Sequence, residues 1–288
     1  MSRSGPSDLF APVTTINEYL ETTLQDVRPP LLQEAARYAV LQGGKRMRPL
    51  LCWYCCEAAG SPGKASLPAG AAVELVHAFS LVHDDLPALD NDDLRRGQPT
   101  LHKHAGEAMA ILAGDALLTL AFRHLGKERP ELVSLLALCT ERMIGGQVLD
   151  TLGGFPQEMP DRERVHAVHT DKTGALLQFA CVAGYRLGAS TRDEEGEKSI
   201  LRYAECIGLM FQIVDDLIDV TQTDEDAGKR TAKDAAAGKL TYPGVFGIEE
   251  SRMEVERLRA EAVASVARFG DHAEPLRTLA EYLATRTK

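Results

Sequence analysis

Apolar residues recur with a period near 3.6 along most of this chain, and almost no stretch alternates in the two-residue rhythm of a half-buried strand. The period predicts helices over about 13–26, 30–43, 46–59, 67–86, 106–126, 130–150, 161–187, 194–221, 232–247, 250–269 and 275–286. Turn residues gather at Gly60-Ser61-Pro62-Gly63, Gly153-Gly154-Phe155-Pro156, Gly188 to Gly196 and Asp224 to Lys229. Several helices are rich in Ala and Leu nearly all round, which marks them as central in a bundle. No composition shift or long Pro/Ser-rich linker divides the 288 residues. The expectation is one all-α domain over 1–288, with a flexible tail at 1–10.

Charge narrows the partners. A formal charge of −10 lacks the basic footprint of nonspecific nucleic-acid binding. Phosphate substrates stay open, because a few placed cations and a metal reverse the local sign. Met1 to Phe10 has no apolar stretch of signal-peptide length. The longest apolar run, Ala108 to Phe122, is interrupted by Asp115 and falls short of a membrane span. A soluble, cytoplasmic protein without an integral membrane segment or nucleic-acid partner is expected. The six cysteines include Cys52-x-x-Cys55, but no second such pair follows, and the segment Leu50 to Cys56 is apolar and helical in pattern. They read as buried thiols rather than zinc or redox ligands.

Two acidic clusters stand out against this apolar background. Asp84-Asp85-Leu86-Pro87-Ala88-Leu89-Asp90 closes one strongly apolar helix, and Asp215-Asp216-Leu217-Ile218-Asp219 lies near the end of another. Adjacent aspartates repel and lower helix propensity, so each pair is unfavourable where it stands. On an ideal helix Asp84 and Asp90 would lie about 120° apart, so a bend near Pro87 has to bring Asp90 round. Asp215 and Asp219 are i, i+4 and share a face with no bend. Taken alone, either cluster reads equally well as a capping or solvated acidic patch. Carboxylate oxygens with substrate phosphates and waters are also what octahedral magnesium takes.

A phosphate ligand also needs cations, and they occur in groups. Gly43-Gly44-Lys45-Arg46-Met47-Arg48-Pro49 is a basic turn whose glycines allow close backbone approach. Arg95-Arg96-Gly97 follows the first acidic cluster, Lys172-Thr173-Gly174 lies in a third region, and Gly228-Lys229-Arg230 follows the second cluster. Each group alone reads as ordinary surface charge; together with the aspartates they form an ordered pattern.

That pattern resembles the trans-isoprenyl diphosphate synthases, specifically the bacterial short-chain farnesyl diphosphate synthases. It is carried by Gly43 to Pro49, Ser80-Leu81-Val82-His83-Asp84-Asp85 through Asp90 to Gly97, Lys172-Thr173-Gly174-Ala175-Leu176, Phe211-Gln212-x-x-Asp215-Asp216-x-x-Asp219, Gly228-Lys229-Arg230 and Gly238-Lys239-Leu240-Thr241-Tyr242-Pro243. The resemblance implies an isoprenoid synthase-type helical bundle around a central cavity, usually a homodimer. It implies that Asp84 and Asp90, with Asp215 opposite, hold magnesium on an allylic diphosphate, with manganese able to substitute. Asp84, Asp85, Lys172 and Lys229 would be catalytic. Arg95, Lys172, Thr173, Gln212 and Lys229 would bind the allylic diphosphate. Gly44, Lys45, Arg48, His77 and Arg96 would bind isopentenyl diphosphate. His77 also fits by geometry, since it lies seven residues before Asp84, about 20° away on an ideal helix. The expected reaction condenses isopentenyl diphosphate with dimethylallyl or geranyl diphosphate to farnesyl diphosphate, with geranyl or geranylgeranyl diphosphate as alternative products.

In such enzymes the floor beneath the first aspartate cluster limits product length. Phe79 and Ser80 resemble that floor, although an ideal helix puts Ser80 on the face of Asp84 and Phe79 about 140° away. Phe79 then reads also as simple interhelical packing. Asn91 interrupts the acidic run after Asp90, and Asp171 stands where it pairs with, and so weakens or positions, Lys172. Three other readings remain: a class I terpene cyclase, a catalytically silent subunit that modulates a partner synthase, and an acidic helical scaffold. The second Asp-rich motif and the basic groups Lys45, Arg48 and Arg96 speak against the cyclase, the ordered basic groups against the scaffold, and the intact aspartates of both clusters against the silent subunit, which stays open.

Overall fold

Prolines suited to a first helical turn open many of the helices: Pro30, Pro68, Pro243 and Pro275 each lie at the N-terminal end of one. The computed structural model describes residues 9–191, 193–221 and 240–287. It is 80% helical, an all-α bundle. The chain divides into two compact units, one made of Met1–Ala137 with Ala183–Ala189, the other of Leu138–Val182 with Ser190–Lys288.

The first unit holds α1 (Val13–Leu24), α2 (Pro30–Leu41), α3 (Met47–Ala58), α4 (Leu67–Asp84), α5 (Leu101–Ala105) and α6 (Glu107–Glu128). Between α4 and α5 a two-stranded antiparallel hairpin pairs Leu94 with Pro99 and Arg95 with Gln98. Its turn is Arg96-Gly97 with φ of 53° and 76°, the positive pair that a two-residue hairpin demands. Helix α4 is the axis of the unit, with twelve of its eighteen residues buried. It packs on α6 where Gly114 leaves room for the His83 ring; a Cβ at Gly114 would stand 2.2 Å from its Nε2. The cysteines of α3 have the same kind of explanation. A Cβ at Gly184 would lie 2.2 Å from the Cys52 carbonyl oxygen, and one at Gly188 2.3 Å from that of Cys56. Small residues on both helices let the backbones approach, and all six cysteines are buried and outside any disulfide. Burial pushes the Cys56 thiol up to about 11, which keeps it protonated and inert.

The second unit holds most of α7 (Val133–Leu152), α8 (Asp161–Val168), most of α9 (Ala175–Gly188), α10 (Glu194–Thr221), α11 (Tyr242–Phe246), α12 (Ile248–Ser265) and α13 (Glu274–Thr285). The expected single helix over 161–187 is interrupted by a π-helical stretch at His169–Gly174. Helix α7 explains its position: a Cβ at Gly146 would meet the Lys172 backbone nitrogen at 2.2 Å. On the other side, a Cβ at Gly208 of α10 would lie 3.0 Å from the Gly174 Cα. The widened turn is thus gripped between two glycines. The helix expected over 232–247 lies mostly outside the described residues.

The sequence expectation that no segment reaches membrane-span length needs correction. Gly63–Asp84, Glu107–Glu128 and Pro130–Leu152 are each long and apolar enough to cross a bilayer by length and composition. Asp115 interrupts the apolar run of Glu107–Glu128, but a helix of this length accommodates one internal acid. The apolar window of Gly63–Asp84 is 72% buried, against 39% and 33% for the other two.

Candidate active site

Helix α4 ends at Asp84, and the chain then folds back on itself. The backbone N–H of Leu86 donates to the His83 carbonyl at 3.1 Å, that of Asp90 to the Asp84 carbonyl at 2.9 Å, and that of Asp92 to the Asp85 carbonyl at 3.2 Å. This return brings the two aspartates together, as the bend near Pro87 requires. Asn91 makes the return possible by adopting φ of 50°, a left-handed conformation that Asn tolerates better than most residues. Asn91 therefore has a backbone reason for interrupting the acidic run.

Asp85 has a different position from Asp84. Its carboxylate is buried and accepts from Arg95 Nε at 2.9 and 3.0 Å and from Nη2 at 2.5 Å. Burial works against the charge on Arg95, but this two-pronged pairing outweighs it and holds the guanidinium above its ordinary value. Asp85 thus fixes Arg95, the residue expected to touch the allylic diphosphate.

The isopentenyl-diphosphate candidates also lie in the first unit. Gly43, Gly44 and Arg46 carry φ of 89°, 119° and 52°, which turns the basic segment sharply into α3. Arg46 is spent on structure: buried, it donates to Glu74 Oε1 at 2.8 Å, Asn17 Oδ1 at 2.8 Å and the Val40 carbonyl at 2.7 Å. Arg46 belongs to the basic turn but not to the residues expected to bind isopentenyl diphosphate, and Glu74, an acid in the buried first half of α4, is what holds it. The Arg96 guanidinium donates to the Gly43 carbonyl and lies flat on Gly44, where a Cβ would stand 2.6 Å from Nη1.

Around His77 the charge is one-sided. Burial, followed by the positive charges of Arg48, Arg96, Arg95 and Arg46, holds its imidazole well below the ordinary value, so it is neutral near pH 7. Burial also lowers Arg48 to about 10, with Glu74 opposing and Arg96 reinforcing the shift, and it lowers Arg96 in the same direction. The Nε of Arg48 is buried without a hydrogen-bond partner. Desolvated cations that depress one another are relieved by an anion, and a diphosphate supplies several acceptor oxygens. Lys45 is exposed at the edge of the same turn.

In the second unit, Lys172 and Thr173 sit within the π-helical stretch, a placement typical of functional sites. Lys172 Nζ is 2.5 Å from Asp150 Oδ2 on α7. Asp171, expected as a partner of Lys172, instead binds Arg142, which donates to it through Nε at 2.9 Å. The wide turn sends the two neighbouring side chains to different partners. Thr173 Oγ1 donates to Gln212 Oε1 at 2.9 Å, Gln212 Nε2 donates to Asp216 Oδ1 at 3.1 Å, and the Tyr242 N–H donates to Asp216 Oδ2 at 2.7 Å. Asp216 is buried, so it braces the start of α11, while Asp215 and Asp219 occupy partly exposed positions of α10. His169 Nε2 stands 3.4 Å from Asp216 Oδ2, and its Nδ1 is buried without a hydrogen-bond partner. Asp150, Lys172, His169, Thr173, Gln212 and Asp216 border a polar cavity of about 70 Å³. Lys229 lies outside the described residues.

Asp150 and His169 were missed from the sequence. For Asp150 a signal existed: it is the one charged residue between Met143 and Leu152. Phe79 is buried and meets the His83 ring edge-on at 4.9 Å, and Ser80 Oγ donates to the His77 carbonyl at 2.9 Å.

The donor set suits a hard divalent cation, since every candidate is a carboxylate oxygen. Among the described residues, no three His, Cys, Asp or Glu side chains converge to enclose a metal by themselves. Two carboxylates per cluster leave coordination positions for phosphate and water, which is how magnesium binds with diphosphate substrates.

Comparisons with known proteins agree with this geometry. The family model described as polyprenyl synthetase matches residues 29–274. Geranylgeranyl pyrophosphate synthase 11, a chloroplastic protein of Arabidopsis thaliana, is 45% identical over 285 residues, covering 94% of this chain and 79% of the relative. The crystal structure of an FPP/GFPP synthase from Zymomonas mobilis superposes with a TM-score of 0.83 at 36% identity, covering 97% of this chain and 98% of that one. That of geranylgeranyl pyrophosphate synthetase from Pyrococcus horikoshii gives 0.86 at 26% identity, covering 97% and 98%. The relatives do not single out the bacterial farnesyl branch that the motifs resemble. The chain belongs to the polyprenyl synthetase family, the trans-prenyltransferases of isoprenoid biosynthesis.

Proposed function

We propose that this protein elongates an allylic diphosphate with isopentenyl diphosphate, and that geranylgeranyl diphosphate is its product. The observation that carries elongation is the pair of desolvated cations Arg48 and Arg96 beside the neutral His77, whose repulsion a second diphosphate relieves. A terpene cyclase has no use for such a pair. Product length rests on the geranylgeranyl synthases among the relatives. Farnesyl diphosphate is the second reading, favoured by the bulky Phe79 one helical turn before His83.

Asp84, Asp90 and Asp215 would hold magnesium, which when bound neutralises the charge that develops on the departing diphosphate. Arg95, fixed by Asp85, and Lys172, fixed by Asp150, present cations to the allylic diphosphate without needing to reorganise. Thr173 and Gln212 orient the same region through their shared hydrogen bond. The Ala- and Leu-rich helix faces exclude water from the allylic cation, and the departing diphosphate takes the final proton. The working form is a homodimer: Ile111 and Leu112 on α6, and Ile144, Val148 and Leu152 on α7, expose apolar surface for a second copy. The cytoplasmic location expected from the sequence is kept, although the Arabidopsis relative is chloroplastic.

The test is to incubate the purified protein with magnesium, isopentenyl diphosphate and dimethylallyl, geranyl or farnesyl diphosphate, and to measure product length. A twenty-carbon product supports the first reading and a fifteen-carbon product the second. No condensation with any primer rejects both.

A further inference from the structure

The second aspartate cluster has a cationic neighbour from the far end of the chain. Arg286, just past α13, donates through Nη2 to Asp215 Oδ1 at 2.7 Å and to the Phe211 carbonyl at 3.0 Å. Its guanidinium also stacks over the Phe211 ring, with Cζ 4.1 Å from the centroid. Phe211 and Asp215 are one helical turn apart on α10, so the arginine covers one continuous strip of that helix. The Arg286 side chain is only 8% exposed, while that of Asp215 is 36% exposed. The latch is therefore built around the arginine, and the carboxylate keeps an open side.

We propose that Arg286 is an internal counter-ion that competes with magnesium for Asp215 and so sets the metal concentration at which the second cluster fills. The proposal rests on the reading of Asp215 as a magnesium ligand. The Arg286 guanidinium takes one acceptor site of Oδ1 and draws charge from the carboxylate, so arginine and metal each weaken the other's hold on Asp215 and loading the metal loosens the Arg286 pair. Stacking on Phe211 keeps the arginine close, and it can return when metal and diphosphate leave. The pair also offsets part of the acidic charge that Asp215, Asp216 and Asp219 concentrate on α10 in the metal-free enzyme. No group is transferred; one ion pair exchanges for a metal–carboxylate contact.

The experiment titrates the full-length protein with Mn²⁺ in the presence of inorganic diphosphate, reading free Mn²⁺ by electron paramagnetic resonance. Arg286→Gln should bind Mn²⁺ about fivefold more tightly than wild type, the equivalent of a weak ion pair removed. Arg286→Lys, which keeps the charge, should stay near wild type. Unchanged Mn²⁺ affinity in Arg286→Gln, with binding lost in Asp215→Asn, overturns the counter-ion role alone. Full Mn²⁺ binding in Asp215→Asn overturns the metal reading and this proposal with it. A second measurement needs no variant: trypsin should cut wild type after Arg286 faster once Mn²⁺ and diphosphate are added. An unchanged cutting rate contradicts the exchange.

Discussion

The backbone N–H of Asp90 donates to the carbonyl of Asp84, so two aspartates six residues apart are joined by the main chain itself. The left-handed turn at Asn91 secures this link. Asn91→Gly should preserve turnover, while Asn91→Val should strain the turn by about 1–2 kcal/mol and raise the magnesium concentration needed for half-maximal rate. Activity measured against magnesium concentration checks the ordering of the two variants.

Asp85 and Arg95 make a pair whose acidic member is buried. Asp85→Ala leaves the guanidinium without its partner and should lower stability by about 3 kcal/mol, as well as reducing kcat. Thermal unfolding without substrate measures the first effect separately from the second. An unchanged melting temperature would show that Asp85 has no structural share.

Gly44 is where the Arg96 guanidinium rests, and its φ of 119° suits only glycine. Gly44→Ala should push Arg96 away and raise the KM for isopentenyl diphosphate by about tenfold, with the KM for the allylic substrate little changed. Steady-state kinetics with each substrate varied in turn separates the two.

His169 gives a pH signature. Burial above all, with His166 and Lys172 adding to it and Asp150 opposing, lowers its pKa from 6.5 to about 3. Below pH 6.5 the unfolded chain therefore takes up a proton that the folded chain refuses. Stability should fall as pH drops from about 6.5 towards about 3, by at most about 1.4 kcal/mol per unit, with no contribution above that window. His169→Gln should flatten the decline in urea unfolding followed from pH 7 to pH 4.

Phe79 decides between the two product lengths. If its ring is the floor, Phe79→Ala should lengthen the product by one or more five-carbon units; if it only packs against His83, the variant should lose about 3 kcal/mol of stability and keep its product. Chromatography of the dephosphorylated products separates these outcomes.

The 3.6-residue period and the spacing of the ionisable residues determined much by themselves. They marked the all-α class, the span of α10, the shared face of Asp215 and Asp219, and the ordered acidic and basic groups, because helix geometry repeats locally. Helix pattern could not reveal the π-helical stretch, since His169 to Gly174 widens where Gly146 and Gly208 grip it, and those contacts come from other helices. Nor could it assign partners. Lys172 pairs with Asp150 rather than Asp171, Arg46 is consumed by Glu74, and Arg286 reaches back to Asp215. A charge declares its type in the sequence, but which opposite charge it meets depends on how the helices cross, and only the tertiary structure decides that.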